Sequence, residues 1–239
     1  MKSILIKFRK FLSIIKKRTI HILQKAVKYK SIQENNIFDI ENLSNTFVYA
    51  NGFDDKCILV DVGCADDADL SVVMMDKFSL KCFGVDPTKK HASALNELER
   101  KSNGLFTHLP YALGCSNEEL TFYESVSNQS GSLRDDHINV KQDEINTYKV
   151  QCLTIPDLLI RHGIKRVDYF KLDIEGAEYD LINNLTKDDI KDISQLFVEF
   201  HHVQIPKYTK QDTLNAVSQI ESLGFKSFTL DEINYLFFN

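Results

Sequence analysis

The sequence predicts an α/β fold, a mainly parallel sheet with helices on both faces, from three observations. From Asn51 onward, short apolar runs alternate with stretches of helical periodicity, the rhythm of repeated βα units. Residues 167–178 (VDYFKLDIEGAE) are a buried-strand pattern that runs directly into Asp173, Glu175 and Glu178 around Gly176. Residues 57–65 (CILVDVGCA) repeat that logic far earlier in the chain, with an apolar strand, Asp61 and Gly63. Strands that carry acids and glycine to their C-terminal ends describe the edge at which open α/β sheets bind ligands.

Residues 1–45 read as a basic amphipathic helical segment that precedes one α/β domain over 46–239. Residues 1–30 hold ten Lys or Arg and no acid, which leaves 19 basic against 34 acidic residues in the rest. Ile4, Phe8, Phe11, Leu12, Ile15, Ile22 and Ala26 recur at three- and four-residue spacing, with Lys7, Lys10, Lys17, Lys25 and Lys28 between them. Such a helix lies on an anionic membrane surface, where each basic residue is worth about 1 kcal/mol, or packs its stripe on the acidic body or a second subunit. Periodicity leaves both readings open, and so leaves peripheral membrane contact through residues 1–30 as one of the two.

Within the domain, strands are expected at 58–62, 82–85, 106–113, 167–172 and 196–200, and helices at 70–78, 92–101, 155–162, 178–185 and 213–223. Residues 226–230 and 235–238 pair as a closing hairpin. The stretch 120–154 breaks the rhythm. Its two strand-like runs, 120–123 and 148–153, flank a polar segment containing Ser127-Asn128-Gln129-Ser130-Gly131-Ser132, an insertion expected at the functional edge.

Composition narrows the class. At 239 residues, 43% hydrophobic and 26% charged, the chain is long enough for one sizeable core. Cys57, Cys64, Cys82, Cys115 and Cys152 are scattered and form no CxxC pair, the usage of a reduced, cytoplasmic protein without a disulfide framework or zinc cluster. No apolar run approaches the ~20 residues of a membrane span, and no signal peptide is legible. The acidic body lacks basic stripes with interleaved aromatics, which argues against nucleic acid as a partner. Oligomeric state is not legible.

Five strand ends would face one crevice. The first ends at Asp61-Val62-Gly63, the second at Asp86-Pro87, the third at Tyr111-Ala112, the fourth at Asp173, and the fifth at Glu199-Phe200-His201-His202. Asp86 stands near the ~20-residue offset at which an acid meets ribose hydroxyls in nucleotide-binding α/β folds. Each acid alone is as well explained as a turn or helix cap; their coincidence is harder to explain that way. The first loop, Gly63-Cys64-Ala65-Asp66-Asp67, lacks the G-x-G-x-x-G of dinucleotide folds and sets two acids where a pyrophosphate would lie, so NAD and FAD are disfavoured. No phosphate-binding G-x-x-x-x-G-K-[ST] loop exists either. S-adenosylmethionine, with a ribose, an α-ammonium and a sulfonium but no phosphate, suits an acidic crevice. The expected cofactor contacts are Asp61, Gly63, Cys64, Ala65, Asp86, Pro87, Tyr111 and Ala112.

These residues resemble the FkbM-like S-adenosylmethionine-dependent methyltransferases. The resemblance spans roughly Ile58 to His202 and rests chiefly on Lys171-x-Asp173-x-Glu175-Gly176-x-Glu178. It is supported by Val60-Asp61-Val62-Gly63, Tyr111-Ala112-Leu113, Leu153-Thr154-Ile155-x-Asp157-Leu158 and Val198-Glu199. Family members usually continue with Ala-Asn-x-Gly after the first glycine, where this chain has Cys64-Ala65-Asp66-Asp67. The resemblance implies a class I, Rossmann-like sheet of seven strands, mostly parallel with a terminal antiparallel strand. It also implies O-methylation of a sugar, polysaccharide precursor or other hydroxylated small molecule.

Methyl transfer to an alkyl hydroxyl needs in-line alignment and a proton acceptor. Asp173, Glu175 and His201 are the expected catalytic residues, with His201 the favoured acceptor. By strand parity His201 shares a face with Glu199, while His202 points away. No metal is expected; an oxygen-rich site of Asp173, Glu199 and His201 is the weaker alternative. The departure in the first loop motivates a second reading, a non-catalytic S-adenosylmethionine-binding or scaffold protein.

Overall fold

The computed structural model describes residues 40–239. The basic segment expected as a helix lies outside these residues except for its last six, which form a strand and a turn instead. Strands β1 (Ile40–Leu43) and β2 (Thr46–Tyr49) are the arms of a hairpin turned by Ser44 and Asn45, both at positive φ. The hairpin docks on the main sheet: the Gln195 side chain exchanges hydrogen bonds of 2.9 and 2.8 Å with the Tyr49 backbone, and the Tyr169 hydroxyl donates to the Phe47 carbonyl.

The remaining elements follow the expected alternation: β3 (Ile58–Val62), α1 (Asp69–Phe78), β4 (Lys81–Val85), α2 (Ala92–Lys101) and β5 (Phe106–Leu109). Then come β6 (Ala112–Leu113), β7 (Glu119–Ser125), β8 (Gly131–Ser132), α3 (Ile138–Lys141), β9 (Ile145–Leu153), α4 (Ile155–Arg161), β10 (Tyr169–Leu172), α5 (Glu178–Asn183) and α6 (Lys187–Ile190). The chain closes with β11 (Gln195–Glu199), α7 (Lys210–Ser222), β12 (Lys226–Thr229) and β13 (Asn234–Phe238).

Seven strands form one mixed sheet in the order β12-β13-β11-β10-β3-β4-β5. β5, β4, β3, β10 and β11 run parallel, and β13 runs antiparallel to both β11 and β12. Order reverses at β3, so β4 and β10 flank it on opposite sides and open a crevice at their C-terminal ends. Parallel strands buried on both faces read as apolar runs. Val60, Val62, Val85, Phe170, Leu172 and Val198 pack with residues of α4, α5, α6 and α7 in a single core. The other face carries Leu59, Tyr169 and Phe197, covered by α1 and the hairpin, where Phe47 meets Phe197 edge-on at 6.4 Å.

The expected third strand, 106–113, is two strands. Pro110 has no N–H to donate to a ladder, and beyond it β6 leaves the main sheet to pair with β9 in a second, four-stranded sheet ordered β6-β9-β7-β8. β7, β8 and β9 of that second sheet belong to the insertion. Its long β7–β9 pairing aligns Glu119 with Gln151 and Ser125 with Ile145, and its polar tip returns over the end of β3.

Candidate active site

The C-terminal ends of β3, β4 and β10 and the inner side of the insertion enclose one cleft. Gly63, Ala65, Asp86, Pro87, Thr88, His91, Tyr111, Ala112, Asp173 and Glu175 line it, and Phe122, Gln129, Gly131 and Leu133 close it from the insertion. Gly63 is the hinge of this arrangement. At φ +76° its N–H donates to the Val85 carbonyl at 2.9 Å, and a Cβ there would sit 1.7 Å from the Asp173 carbonyl oxygen. Only glycine lets the backbone leaving β3 pass this close to the end of β10.

Six of the eight residues expected at the cofactor therefore stand on the cleft wall: Gly63, Ala65, Asp86, Pro87, Tyr111 and Ala112. Asp61 and Cys64 do not. Strand alternation turns Asp61 towards α1, where it is 1% exposed, accepts from the Ser71 hydroxyl at 2.8 Å and faces Lys171 Nζ at 3.7 Å. Burial pushes its carboxyl above the usual range, opposed by the Lys171 charge. Cys64 is buried against β4, its Sγ beside Gly84, and burial raises its thiol well above the usual value.

Asp86 is the organising acid of the first half. It is 4% exposed, yet Oδ2 accepts from the Ala65 N–H at 3.0 Å and lies 3.2 Å from His91 Nδ1, while Oδ1 accepts from the Thr88 N–H at 2.8 Å. Burial alone would raise its pKa; hydrogen bonds from His91 and Thr88 outweigh it and hold the carboxyl below the usual range.

The second half is a cluster of charges at the end of β10. Asp173 lies 3.2 Å from Lys171 Nζ. Glu175 occupies the left-handed region at φ +51°, a strained setting for a non-glycine residue. The insertion grips it there: the Ser132 hydroxyl donates to its carbonyl at 2.8 Å, and His137 Nε2 lies 2.7 Å from its Oε2. That second contact has ion-pair distance but lies outside hydrogen-bond geometry. The His137 tautomer is nonetheless set, because its Nδ1 accepts the Asn139 N–H and caps α3. Burial opposes ionisation of Glu175, but His137 and His201 together lower its pKa.

His201 is placed next to this cluster but does not line the cleft. It is 3% exposed, with Nδ1 3.0 Å from Glu178 Oε1 and Nε2 3.5 Å from both Asp173 and Glu175. Burial would depress its pKa, yet Glu178, Asp173 and Glu175 lift it to about 10. The expected proton acceptor is thus surrounded by three carboxylates that favour its protonated form. Glu199 lies behind the same group, pushed up to about 7 by burial and the Asp173 charge. His202 turns away, as its parity requires, to bond the Thr213 hydroxyl at 2.9 Å.

Two participants carried no sequence signal, and a third carried one that gave no role. His91 and His137 are single histidines in unpatterned stretches. Glu178 reads as a first-turn acid of α5, yet it is fully buried and accepts from the Gly176 N–H, the His201 N–H and the His201 ring. Gln129 was visible only as part of a polar tract; its side-chain amide donates to Asp66 at 2.7 Å across the cleft mouth. Among the described residues, no group of three or more His, Cys, Asp or Glu has the geometry to hold a metal ion.

The chain is similar in structure to a fibrillarin pre-rRNA processing protein of Methanococcus jannaschii (10% identity, TM-score 0.45, covering 77% of this chain and 66% of that one). TrmK of M. capricolum, solved with S-adenosylhomocysteine, matches at 15% identity and TM-score 0.39 over 79% of this chain and 63% of its own. SMU.1697c of Streptococcus mutans, a putative methyltransferase in complex with SAH, matches at 8% identity and TM-score 0.44, covering 77% and 88%. The chain spans less than two thirds of the length of the first two. No curated protein matches it in sequence. The family profile described as the methyltransferase FkbM domain matches residues 34–227, which takes in the cleft and every strand that builds it, and the chain belongs to that family.

Proposed function

We propose that the protein is an S-adenosylmethionine-dependent O-methyltransferase whose acceptor is a hydroxyl of a sugar, polysaccharide precursor or related small molecule. The observation that carries this reading is the division of the cleft. One half is organised by ionised Asp86 at the end of β4, and the other presents Asp173 and Glu175 at the end of β10, with the glycine-only crossing of Gly63 between them. A cofactor with a ribose and two positive centres but no phosphate suits these walls: Asp86 would hold sugar hydroxyls, and the acids would attract an ammonium or sulfonium. When bound, the cofactor supplies an electrophilic methyl group.

The protein's residues do the rest. Asp173, held between Lys171 and His201, and Glu175, held by Ser132 and His137, orient the acceptor hydroxyl by accepting its hydrogen bond. They also stand where its proton would go. His201, 3.5 Å from both carboxylates, helps hold the Glu175 carboxyl below its usual range. Phe122, Leu133 and Gln129 close the cleft and limit water near the transfer, which favours a transferable group held in line.

Calorimetric titration of S-adenosylhomocysteine into the wild type and Asp86→Ala tests the cofactor half. Micromolar binding that weakens at least tenfold in the variant is expected; wild-type binding unaffected by Asp86→Ala would remove Asp86 from the site. Transfer of labelled methyl from S-adenosylmethionine to a panel of hydroxylated sugars tests the acceptor half. Binding without transfer to any acceptor would favour the non-catalytic reading, which the divergent first loop supports. Among the described residues no helix is long and apolar enough to cross a membrane. The charge pattern of residues 1–30 supports peripheral attachment to an anionic surface, and equal liposome flotation with and without those residues would dismiss it.

A further inference from the structure

Asp86 cannot satisfy a ribose alone. A carboxylate offers about four lone-pair sites, and protein donors already occupy three on Asp86: the Ala65 N–H, the Thr88 N–H and His91 Nδ1. One site remains, on Oδ1, whereas the ribose of S-adenosylmethionine carries two adjacent hydroxyls. A hydroxyl left unpaired on entering the cleft would cost binding energy.

His91 supplies the missing contact. The residue lines the same cleft wall and is 3% exposed, and its Nε2 is buried without a hydrogen-bond partner among the described residues. An ionised carboxylate only accepts, so His91 Nδ1 must carry a proton, which fixes the tautomer. The neutral ring then offers a lone pair at Nε2 and the protonated ring offers an N–H. A hydroxyl, both donor and acceptor, satisfies either state; an exocyclic amine or a bare ring nitrogen of adenine satisfies only one.

We infer that the Asp86–His91 pair divides the ribose between its members, Asp86 Oδ1 accepting one hydroxyl and His91 Nε2 bonding the other. The pair is a specificity device for a nucleoside with an intact vicinal diol, and it rests on the cofactor reading above. Asp86 has a double role, as direct ligand and as the group that sets the His91 tautomer.

The test is calorimetric titration of S-adenosylhomocysteine and its 2′-deoxy and 3′-deoxy analogues into the wild-type full chain, His91→Phe and His91→Gln. In His91→Phe, affinity for S-adenosylhomocysteine falls about tenfold, the worth of one hydrogen bond. The same substitution costs nothing further for the one deoxy analogue that lacks the hydroxyl His91 bonds. His91→Gln, which keeps a polar side chain, recovers part of the loss. Equal weakening for all three ligands, or none for any, would overturn the assignment. Should the variants not fold, ring ¹⁵N shifts of wild-type His91 decide: Nε2 moves on binding S-adenosylhomocysteine but not on binding one deoxy analogue, and identical shifts with all three ligands exclude the contact. No binding of S-adenosylhomocysteine to the wild type would instead remove the cofactor reading itself.

Discussion

Replacing Gly63 by alanine should unfold the site and destabilise the whole domain, and the structure separates the two causes. Alanine at φ +76° carries the left-handed penalty, about 1–2 kcal/mol. The added Cβ also meets the Asp173 carbonyl oxygen at 1.7 Å, a backbone atom that cannot rotate aside, so β3 and β10 must part. Overpacking a tight interior costs about 1–3 kcal/mol more. The total is about 2–5 kcal/mol, or roughly 4–20 °C in Tm for a domain of this size. Gly163 provides the internal control: its φ is +66°, but a Cβ there meets nothing within 4 Å, so alanine costs the backbone penalty alone. Urea denaturation of both variants, with S-adenosylhomocysteine titration of whatever folds, measures the difference. Gly163→Ala should bind ligand as the wild type does, and Gly63→Ala should lose binding together with stability. Equal midpoints for the two variants would refute the close approach of β3 to β10 as the determinant.

Other expectations follow from the buried charges. His201, raised from 6.5 to about 10, contributes stability that is complete below its unfolded pKa and is lost as pH rises through about 10. Denaturation midpoints should therefore fall between neutral pH and pH 10, and His201→Gln should flatten that fall; an unchanged slope would show that the ring is not charged. Glu199 acts oppositely to an ordinary paired acid, because its pKa is raised to about 7: ionising it costs stability as pH climbs from its unfolded value through 7, a cost that Glu199→Gln abolishes. Lys171→Met should cost about 3–5 kcal/mol by stranding Asp61, and adding Asp61→Asn should restore part of it; additive losses in the double variant would mean that the 3.7 Å contact carries no coupling.

The course of the chain through the main sheet is legible because parallel strands buried on both faces must be apolar, and helices between them must show a 3.6-residue period. That logic places β3, β4, β10 and β11 to within two residues and puts Asp86, Asp173 and Glu175 at or just beyond strand ends from pattern alone. It misses the split at Pro110 because strand-forming residues stand on both sides of it, Phe106 to Leu109 before and Tyr111 to Leu113 after. The tight glycine after β3 is likewise visible as a motif, though what makes glycine obligatory, the Asp173 carbonyl, is not.

Local pattern cannot report which charges share a desolvated space. Asp61, Asp86 and Asp173 look alike as strand-end acids, yet packing buries Asp61 beside Lys171, clamps Asp86 with three donors and leaves Asp173 on the cleft wall. His201 looks like a base until folding sets Glu178, Asp173 and Glu175 around it and raises its pKa. His137 arrives at Glu175 from 38 residues away along the chain. Sequence determined the order of elements and the residue types available at the crevice, because periodicity and composition are properties of neighbours along the chain. Tertiary structure alone decided which of those residues face the cleft and which carry charge, because desolvation and Coulomb energy depend on distances that only folding creates.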